Sequence, residues 1–220
     1  MKEPINYIVI PGMEHYAHVT YTWVIMLGFM VLAFALRGGY RVAPEGLQNF
    51  MEMVVSGLAQ FADGVLGHQG RRYFPLIGTL AFFILCANLI GVFPGCVAPT
   101  SNINTTLALA LIVFFLYHVV GFSHHGIGYI KQFFGPVWWL AWLMFPIEII
   151  SHLARPVSLS MRLFGNVRGD ELVILVLGFL IPLVLPMPMI VLTVFFSVIQ
   201  TAVFVILTMV YISGALEEAH

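Results

Sequence analysis

The sequence predicts an all-α integral membrane protein with about five membrane-crossing helices and one amphipathic helix on the membrane surface. Hydrophobic residues make up 60% of the 220 residues and charged residues only 9%, and the mean hydropathy is +0.99. Because an ordinary soluble domain has about 25% charged residues, this chain has too few polar side chains to cover a globule in water. Several uncharged stretches are also long enough to cross a hydrocarbon core of about 30 Å.

Three of the spans and the surface helix are predicted in the first half of the chain. The three spans are apolar stretches without a charged residue, at 19–36, 73–93 and 106–122. Between the first two, residues 44–67 place apolar side chains at helical spacing opposite Glu45, Glu52 and Asp63. A helix with one apolar and one charged face lies in the plane of a membrane interface, so this segment is predicted to be an amphipathic surface helix.

The last two predicted spans are longer. Residues 138–181 form one apolar segment that contains Pro146 and Pro156, and residues 189–213 form the final one. At 1.5 Å per residue the first would measure about 60 Å, roughly twice the membrane thickness, so it must tilt steeply, bend, or divide into two helices. Prolines between the two segments predict the turn of a hairpin. We expect the whole chain, 1–220, to be a single membrane domain.

Positive charges in the loops predict the orientation. With five crossings, the loops at 37–72 and 123–137 and the C-terminus share one side and carry five Lys and Arg residues, whereas the opposite side carries only Lys2. Cytoplasmic loops are enriched in Lys and Arg, so the N-terminus is expected outside and the C-terminus in the cytoplasm. No transit-peptide-like leader is visible, which favours a bacterial inner (plasma) membrane.

Arg162 is the principal candidate for a functional residue. Its guanidinium keeps its proton at any accessible pH, and placing such a charge among apolar helices costs between about 2.5 and 17 kcal/mol. At 100° per residue, the residues within about 40° of it form a polar face of the long helix. They are Glu148, Ser151, Arg155, Ser158, Asn166 and Gly169. Glu171 points about 180° away and Asp170 lies in between, so the helix separates one fixed positive charge from titratable carboxyls.

The final helix has a second, weaker polar pattern. The residues on this side are Thr193, Ser197, Gln200, Phe204, Thr208 and Tyr211. Hydroxyl and amide groups hold water molecules without changing their own protonation, so this pattern beside the carboxyls suits an aqueous ion passage. His152, about 80° from Arg162 on the long helix, is a further candidate for that passage.

Structural alternatives remain open for these residues. Asn166 and Gln200 would also join two helices by a hydrogen bond, and Glu148 and Glu171 would also extend to a membrane surface. The charge of Arg162 would also pair with a carboxyl of its own helix, although the helical angles disfavour such a pair.

Other polar residues are expected to have simpler roles. Arg155 and Arg168 are expected to meet lipid headgroups or aqueous vestibules, and His118 is expected at the membrane interface. Cys86 and Cys96 do not have the spacing of a metal site, and acidic and basic residues nearly balance. No metal, cofactor or nucleic-acid partner is therefore predicted.

The most specific signal is the segment ARPVSLSMRLFGN at 154–166, which is followed by Glu171 and by Gln200 in the final helix. This arrangement closely resembles subunit a of the F-type rotary ATP synthase. The stretch PTSNINTTLALAL ahead of the third span is similar to the same family. The resemblance is strongest from Pro99 to the end, whereas the first two spans and the surface helix are compatible with it but less specific.

The resemblance implies a proton-translocating stator subunit in a lipid bilayer. Its last two helices, long and tilted, would form a hairpin against a ring of c subunits, and peripheral-stalk b subunits would accompany it. Two offset half-channels would couple proton flow to rotation of the ring and to ATP synthesis, while ATP itself is made elsewhere in the complex. Arg162 matches the family's essential arginine, which faces the ion-carrying carboxylate of the ring.

The resemblance also implies roles for residues on either side of Arg162. Positions associated with the channel from the outer side are Asn166, Glu171 and Gln200. Glu148 matches an acidic position near the cytoplasmic exit. One departure concerns Asp170 and Thr193, because some members have Gly and His at these two positions. The chain therefore has a carboxyl and a hydroxyl there, and the relay of those relatives does not transfer unchanged.

A second function class is a proton-coupled secondary transporter that binds an anionic substrate at Arg162. Such transporters contain an internal repeat of the hydrophobic pattern, and none is visible in this sequence. An intramembrane hydrolase has less support, since the sequence lacks a metal-binding pair and a Ser/His nucleophile arrangement. Protons are the expected ion, although the choice between protons and sodium depends on the ring.

Overall fold

The computed structural model describes residues 17–37, 46–93, 95–126, 128–129, 139, 141–181, 184 and 186–217. The helices within these ranges are α1 (Ala17–Arg37), α2 (Leu47–Leu66), α3 (Gly70–Ile90), α4 (Ile103–His125), α5 (Ala141–Leu180) and α6 (Pro186–Glu217). Short 3-10 turns at Gly67–Gln69 and Pro99–Ser101 precede α3 and α4. The prediction of an all-α fold is confirmed. Lys2, Glu45 and Lys131, whose charges entered the sequence argument, lie outside the described residues.

Four of the described helices are long and apolar enough to cross a membrane, namely α1, α3, α4 and α6. The sequence prediction had placed spans in these helices at 19–36, 73–93, 106–122 and 189–213. The fifth predicted crossing, 138–181, falls on α5, which has 40 residues and carries several charged side chains. The number of crossings therefore remains a prediction for this helix.

α5 is a single helix, although it contains Pro146 and Pro156. Proline has no backbone N–H and breaks one intrahelical hydrogen bond, a defect that neighbouring helices compensate in membrane proteins. The division into two helices, which the sequence left open, is not observed. One continuous element of about 60 Å therefore carries the candidate residues from Glu148 to Glu171.

The core lies where α3, α4, α5 and α6 meet. Leu159 and Leu163 of α5 are buried there, together with Ile84 of α3, Val113 of α4 and Phe204 of α6. A second cluster extends the same core toward α2. Because lipid is as apolar as these side chains, close van der Waals packing rather than removal from water stabilises such contacts in a membrane. This packing fixes which face of α5 is turned inward.

α2 has one face on the protein and an apolar surface left uncovered. It begins after Gly46 and ends before Gly67, and the φ angles of these two glycines, 61° and 60°, lie in the region that favours glycine. Ala62 and Leu66 are buried in the core. The large exposed side chains are Phe50, Met53, Val54, Val55 and Phe61. Such a surface is compatible with the predicted position of 44–67 at a membrane interface.

The segment before α4 is fixed against α1. The Tyr21 hydroxyl donates to the carbonyl of Gly95 over 3.2 Å, and Asn102 Nδ2 lies 3.3 Å from His18 Nδ1. Asn102 also caps α4, because its Oδ1 accepts from the N–H of Asn104 over 2.9 Å and satisfies a donor that the helix start leaves open. The turn beside the second half of α5 is thereby held in place.

Candidate functional site

Arg162 lies on an exposed face of α5. The core positions Leu159 and Leu163 turn roughly 60–100° away from it around the helix axis. Ser158 and Gly165, which share its face, are exposed as well. Within the described ranges, neither the ion pairs nor the side-chain hydrogen bonds between helices involve Arg162. Its charge is therefore not compensated by the described part of the chain.

Two glycines keep the face beside Arg162 open. A Cβ atom added at Gly165 or Gly169 would meet nothing within 4 Å, so packing inside the described chain does not require either glycine. Small residues allow a second helix to approach closely in a membrane. The face is therefore accessible to a helix that is not part of this chain.

An amide pair joins α5 to α6 near Arg162. Asn166 Nδ2 donates to Gln200 Oε1 over 2.6 Å, and Gln200 is only 5% exposed. A buried amide without such a partner would cost about 1–3 kcal/mol. The helix-joining alternative considered for these two residues is thus observed, one helical turn beyond the arginine.

The carboxylate of Glu171 pairs with a different arginine. Arg168 Nη1 donates to Glu171 Oε2 over 3.0 Å, and the side chain of Glu171 is one quarter exposed. The turn Pro99–Ser101 packs against α5. Arg168 was expected to contact solvent or headgroups, and the structure shows that it also pairs with a carboxylate of its own helix. Asp170, next to Glu171, is half-buried.

The polar side of α6 faces the protein interior. Thr193, Ser197 and Gln200 are all buried, with exposures below 9%. The Thr193 hydroxyl is buried and has no hydrogen-bond partner among the described residues. Because a buried hydroxyl normally has a partner in the protein or in ordered water, this position suits a water molecule.

A second polar group lies in the N-terminal half of α5. His152 is 3% exposed, its Nδ1 is 3.0 Å from the Tyr117 hydroxyl of α4, and its Nε2 is 3.3 Å from Glu148 Oε1. Glu148, one helical turn earlier, remains about one third exposed. The pair Glu148 and His152 thus links the exposed polar face to the interior.

His152 belongs to what we call the aromatic cluster. The members of this cluster are Tyr117, His118, Tyr129, His152, Arg155 and Tyr211. The Arg155 guanidinium lies 5.7 Å from the ring centre of Tyr117 and 5.4 Å from that of Tyr211, and such cation–π contacts contribute about 0.5–2 kcal/mol each. The expectation of headgroup contacts for Arg155 and of an interfacial His118 therefore missed their packing inside the bundle.

A buried hydrogen-bonded pair between α3 and the turn before α4 was not predicted from the sequence. Thr100 Oγ1 donates to Asn88 Oδ1 over 2.7 Å, and Asn88 is 2% exposed. Its Nδ2 has no hydrogen-bond partner within the described ranges. Asn88 is the single amide inside the apolar stretch 73–93, which was the available signal. Its contact with the PTSNIN segment depends on how α3 meets the turn before α4.

Comparisons with known proteins show the family to which this chain belongs. A sequence profile of the family described as "ATP synthase A chain" matches residues 19–213. The chain is 53% identical over 212 residues to "ATP synthase subunit a 1" of Syntrophotalea carbinolica, and this match covers 95% of this chain and 91% of that protein. It is 51% identical over 202 residues to "ATP synthase subunit a" of Trichlorobacter lovleyi, with 92% and 88% covered. It is also 49% identical to "ATP synthase subunit a" of Geobacter sulfurreducens over 202 residues, with 92% and 88% covered. This chain therefore belongs to the ATP synthase A chain family.

Proposed function

We propose that this chain is the proton-translocating stator subunit of a bacterial ATP synthase and that Arg162 is its central functional residue. The observation that carries the proposal is the exposed guanidinium on α5, which has no compensating partner in the described chain. A charge of this kind in a membrane requires a partner or water. A carboxylate on a ring of c subunits supplies such a partner across the open face of α5.

The proposed mechanism follows from the permanent charge of Arg162. A protonated ring carboxyl is neutral and passes through lipid, but opposite Arg162 its anion becomes the favoured form and its proton is released. The guanidinium cannot accept a proton, so water on its two sides stays disconnected. Protons therefore cross only by riding on the ring, and the membrane potential contributes about 2.3 kcal/mol per charge per 100 mV.

The proton path is proposed to have two halves on either side of Arg162. The residues of the outer half are Asn166, Asp170, Glu171, Thr193 and Gln200. Glu148 and His152 form the cytoplasmic half. The buried position of Thr193 and the partly exposed carboxylate of Glu171 support an aqueous route that ends near the ring. Glu148 supports the second route, because it lies on the polar face of α5 about 21 Å from Arg162 along the helix.

The proposed arrangement in the membrane follows the charge asymmetry. The chain is a single membrane domain with five crossings, of which α5 is the fourth, and α2 lies at the surface. The N-terminus is outside and the C-terminus is in the cytoplasm. The subunit is not catalytic, and its partners are the ring of c subunits, the peripheral-stalk b subunits and the lipid bilayer. The transporter alternative has no support from the relatives, which carry ATP synthase names.

Copurification tests the proposal. An affinity-tagged copy of the chain, extracted in mild detergent, should bring down a c-ring and stalk subunits that mass spectrometry identifies. Purification of the chain alone, with substrate-dependent proton uptake after reconstitution, would favour the transporter alternative.

Ala219→Cys tests the orientation, because an impermeant thiol reagent should label it only from the cytoplasmic side. Labelling from outside would reverse the proposed topology.

A further inference from the structure

Both ring nitrogens of His152 lie beside an oxygen that can exchange a proton. Nδ1 is 3.0 Å from the Tyr117 hydroxyl and Nε2 is 3.3 Å from Glu148 Oε1. We propose that His152 takes up and returns protons for Glu148 in the cytoplasmic half of the path. Tyr117 is then a positioning residue that holds the imidazole toward Glu148. This inference rests on the function proposed above and assigns Tyr117 a part in it.

The tautomer of His152 depends on its hydrogen bond with Tyr117. A neutral imidazole has one N–H and one lone pair, and the hydrogen bond at one nitrogen determines which nitrogen carries the proton. When Nδ1–H donates to the oxygen of Tyr117, Nε2 carries the lone pair and lies 3.3 Å from Glu148 Oε1. Tyr117 therefore prepares the imidazole to accept a proton from that carboxyl.

The transfer itself needs no further reactant. A protonated Glu148 passes its proton to Nε2, so one O–H bond breaks, one N–H bond forms, and a carboxylate remains beside an imidazolium. The reverse step restores the neutral pair. Nδ1–H donates to the same phenol oxygen in both states, and thus no buried polar group loses its partner during the exchange.

Glu148 and His152 differ in burial, so we expect them to differ in their access to water. The side chain of Glu148 is 35% exposed, whereas that of His152 is 4% exposed. Glu148 therefore exchanges protons with water on the polar face of α5, and within the described part of the chain it connects the buried His152 to that water. The buried imidazole holds a proton that would otherwise stay on Glu148, so the Glu148 carboxylate is free to accept the next proton.

The surrounding charges keep the stored proton exchangeable. Among the described residues, the ionisable groups next to His152 are Glu148 and Arg155 on α5 and Tyr117 and His118 on α4. Tyr129 and Tyr211 lie one contact further away, against His118 and Tyr117 respectively. The negative charge of Glu148 stabilises an imidazolium, whereas burial and the positive charge of Arg155 oppose it. With these opposed influences the proton is passed on and is not retained.

The test uses the whole ATP synthase reconstituted in vesicles, with passive proton conductance measured against the pH on the cytoplasmic side. A pair of interacting groups titrates in two macroscopic steps, so the wild-type profile should contain two steps. His152→Gln keeps a polar side chain that cannot take a proton. It should remove one step and lower the conductance by roughly tenfold or more. Glu148→Gln combined with His152→Gln should lower it no further than Glu148→Gln alone.

Tyr117→Phe separates positioning from packing. It keeps the ring beneath Arg155 and removes only the hydroxyl, so the complex should assemble and lose about fivefold in conductance, the equivalent of one hydrogen bond. His124→Gln, which removes an exposed histidine at the end of α4, is the matched control and should behave as wild type. If His152→Gln does not assemble, Tyr117→Phe decides the question.

An assembled His152→Gln or Tyr117→Phe complex with the wild-type profile would overturn the inference. The proposed function fails separately, because that failure would appear as wild-type pumping in an Arg162 variant. Loss of pumping in the Arg162 variant together with unchanged His152 and Tyr117 variants would therefore reject the relay and leave the stator function intact.

Discussion

The central arginine of α5 has different surroundings from the two arginines that flank it. Arg155, about two helical turns before Arg162, lies over two tyrosine rings, and Arg168, nearly two turns after it, pairs with Glu171 over 3.0 Å. Arg162, between them, has neither kind of partner in the described ranges and faces outward. All three charges are on one helix, so their surroundings rather than their chemistry distinguish them. The comparison indicates that the outer two charges stabilise the chain, while the central one is kept for a partner.

The free energies involved support this distinction between Arg162 and the two flanking arginines. A guanidinium in the middle of a membrane costs between about 2.5 and 17 kcal/mol, whereas a cation–π contact returns about 0.5–2 kcal/mol. Aromatic faces or a carboxylate from the same chain would reduce the cost at the central position too. Nevertheless, α5 places serine and glycine beside Arg162. An arginine with a strong internal partner would attract the ring carboxylate less, so the open face serves the proposed mechanism.

The largest effect is expected from Arg162→Ala. ATP-driven proton pumping into vesicles should be abolished, because neither the attraction for the ring carboxylate nor the barrier between the two half-channels would remain. Assembly of the complex should be unchanged, since no described contact is lost. Fluorescence quenching of a pH-sensitive dye during ATP hydrolysis measures the pumping. Wild-type quenching in an assembled Arg162→Ala complex would contradict the central role of this residue.

Much of the fold follows from the sequence because hydropathy is a local property. The uncharged stretches 73–93 and 106–122 fall on α3 and α4, and their ends shift by no more than three residues. A polar face around Arg162 also follows, since the 100° rotation per residue is fixed by the helix itself. The continuity of α5 through its two prolines could not be predicted from the sequence. It depends on neighbouring helices, which the sequence of α5 does not specify.

The candidate site is harder to predict from the sequence, because its contacts join helices that are distant along the chain. His152 and Tyr117 are 35 residues apart, and their contact depends on the crossing of α4 and α5, which periodicity within one helix does not determine. The pair Arg168 and Glu171 was predictable from the sequence, because residues three positions apart lie side by side on a helix. It was not predicted, since the helical angle of Glu171 was compared only with that of Arg162.

A smaller effect is expected from Glu171→Gln. The substitution removes the negative charge that faces Arg168 and the proton-accepting group of the proposed outer half-channel, so proton uptake should slow several-fold while the proposed barrier at Arg162 remains. Passive proton conductance of the reconstituted complex measures this step. Glu171→Asp is the control, because it keeps the carboxylate and should recover part of the rate. Unchanged conductance in Glu171→Gln would restrict this residue to pairing with Arg168.

The smallest effect on pumping, and a measurable effect on stability, is expected from Arg155→Met. Methionine retains most of the packing volume but not the charge over Tyr117 and Tyr211, so the loss should be about 0.5–2 kcal/mol. For a chain of this size each kcal/mol lowers the melting temperature by about 2–4 °C, which thermal unfolding of the purified complex detects. Arg155→Lys retains a cation and should lose less. Complete loss of pumping in an Arg155→Met complex of wild-type stability would remove the distinction between this arginine and Arg162, because both charges would then act on the proton path.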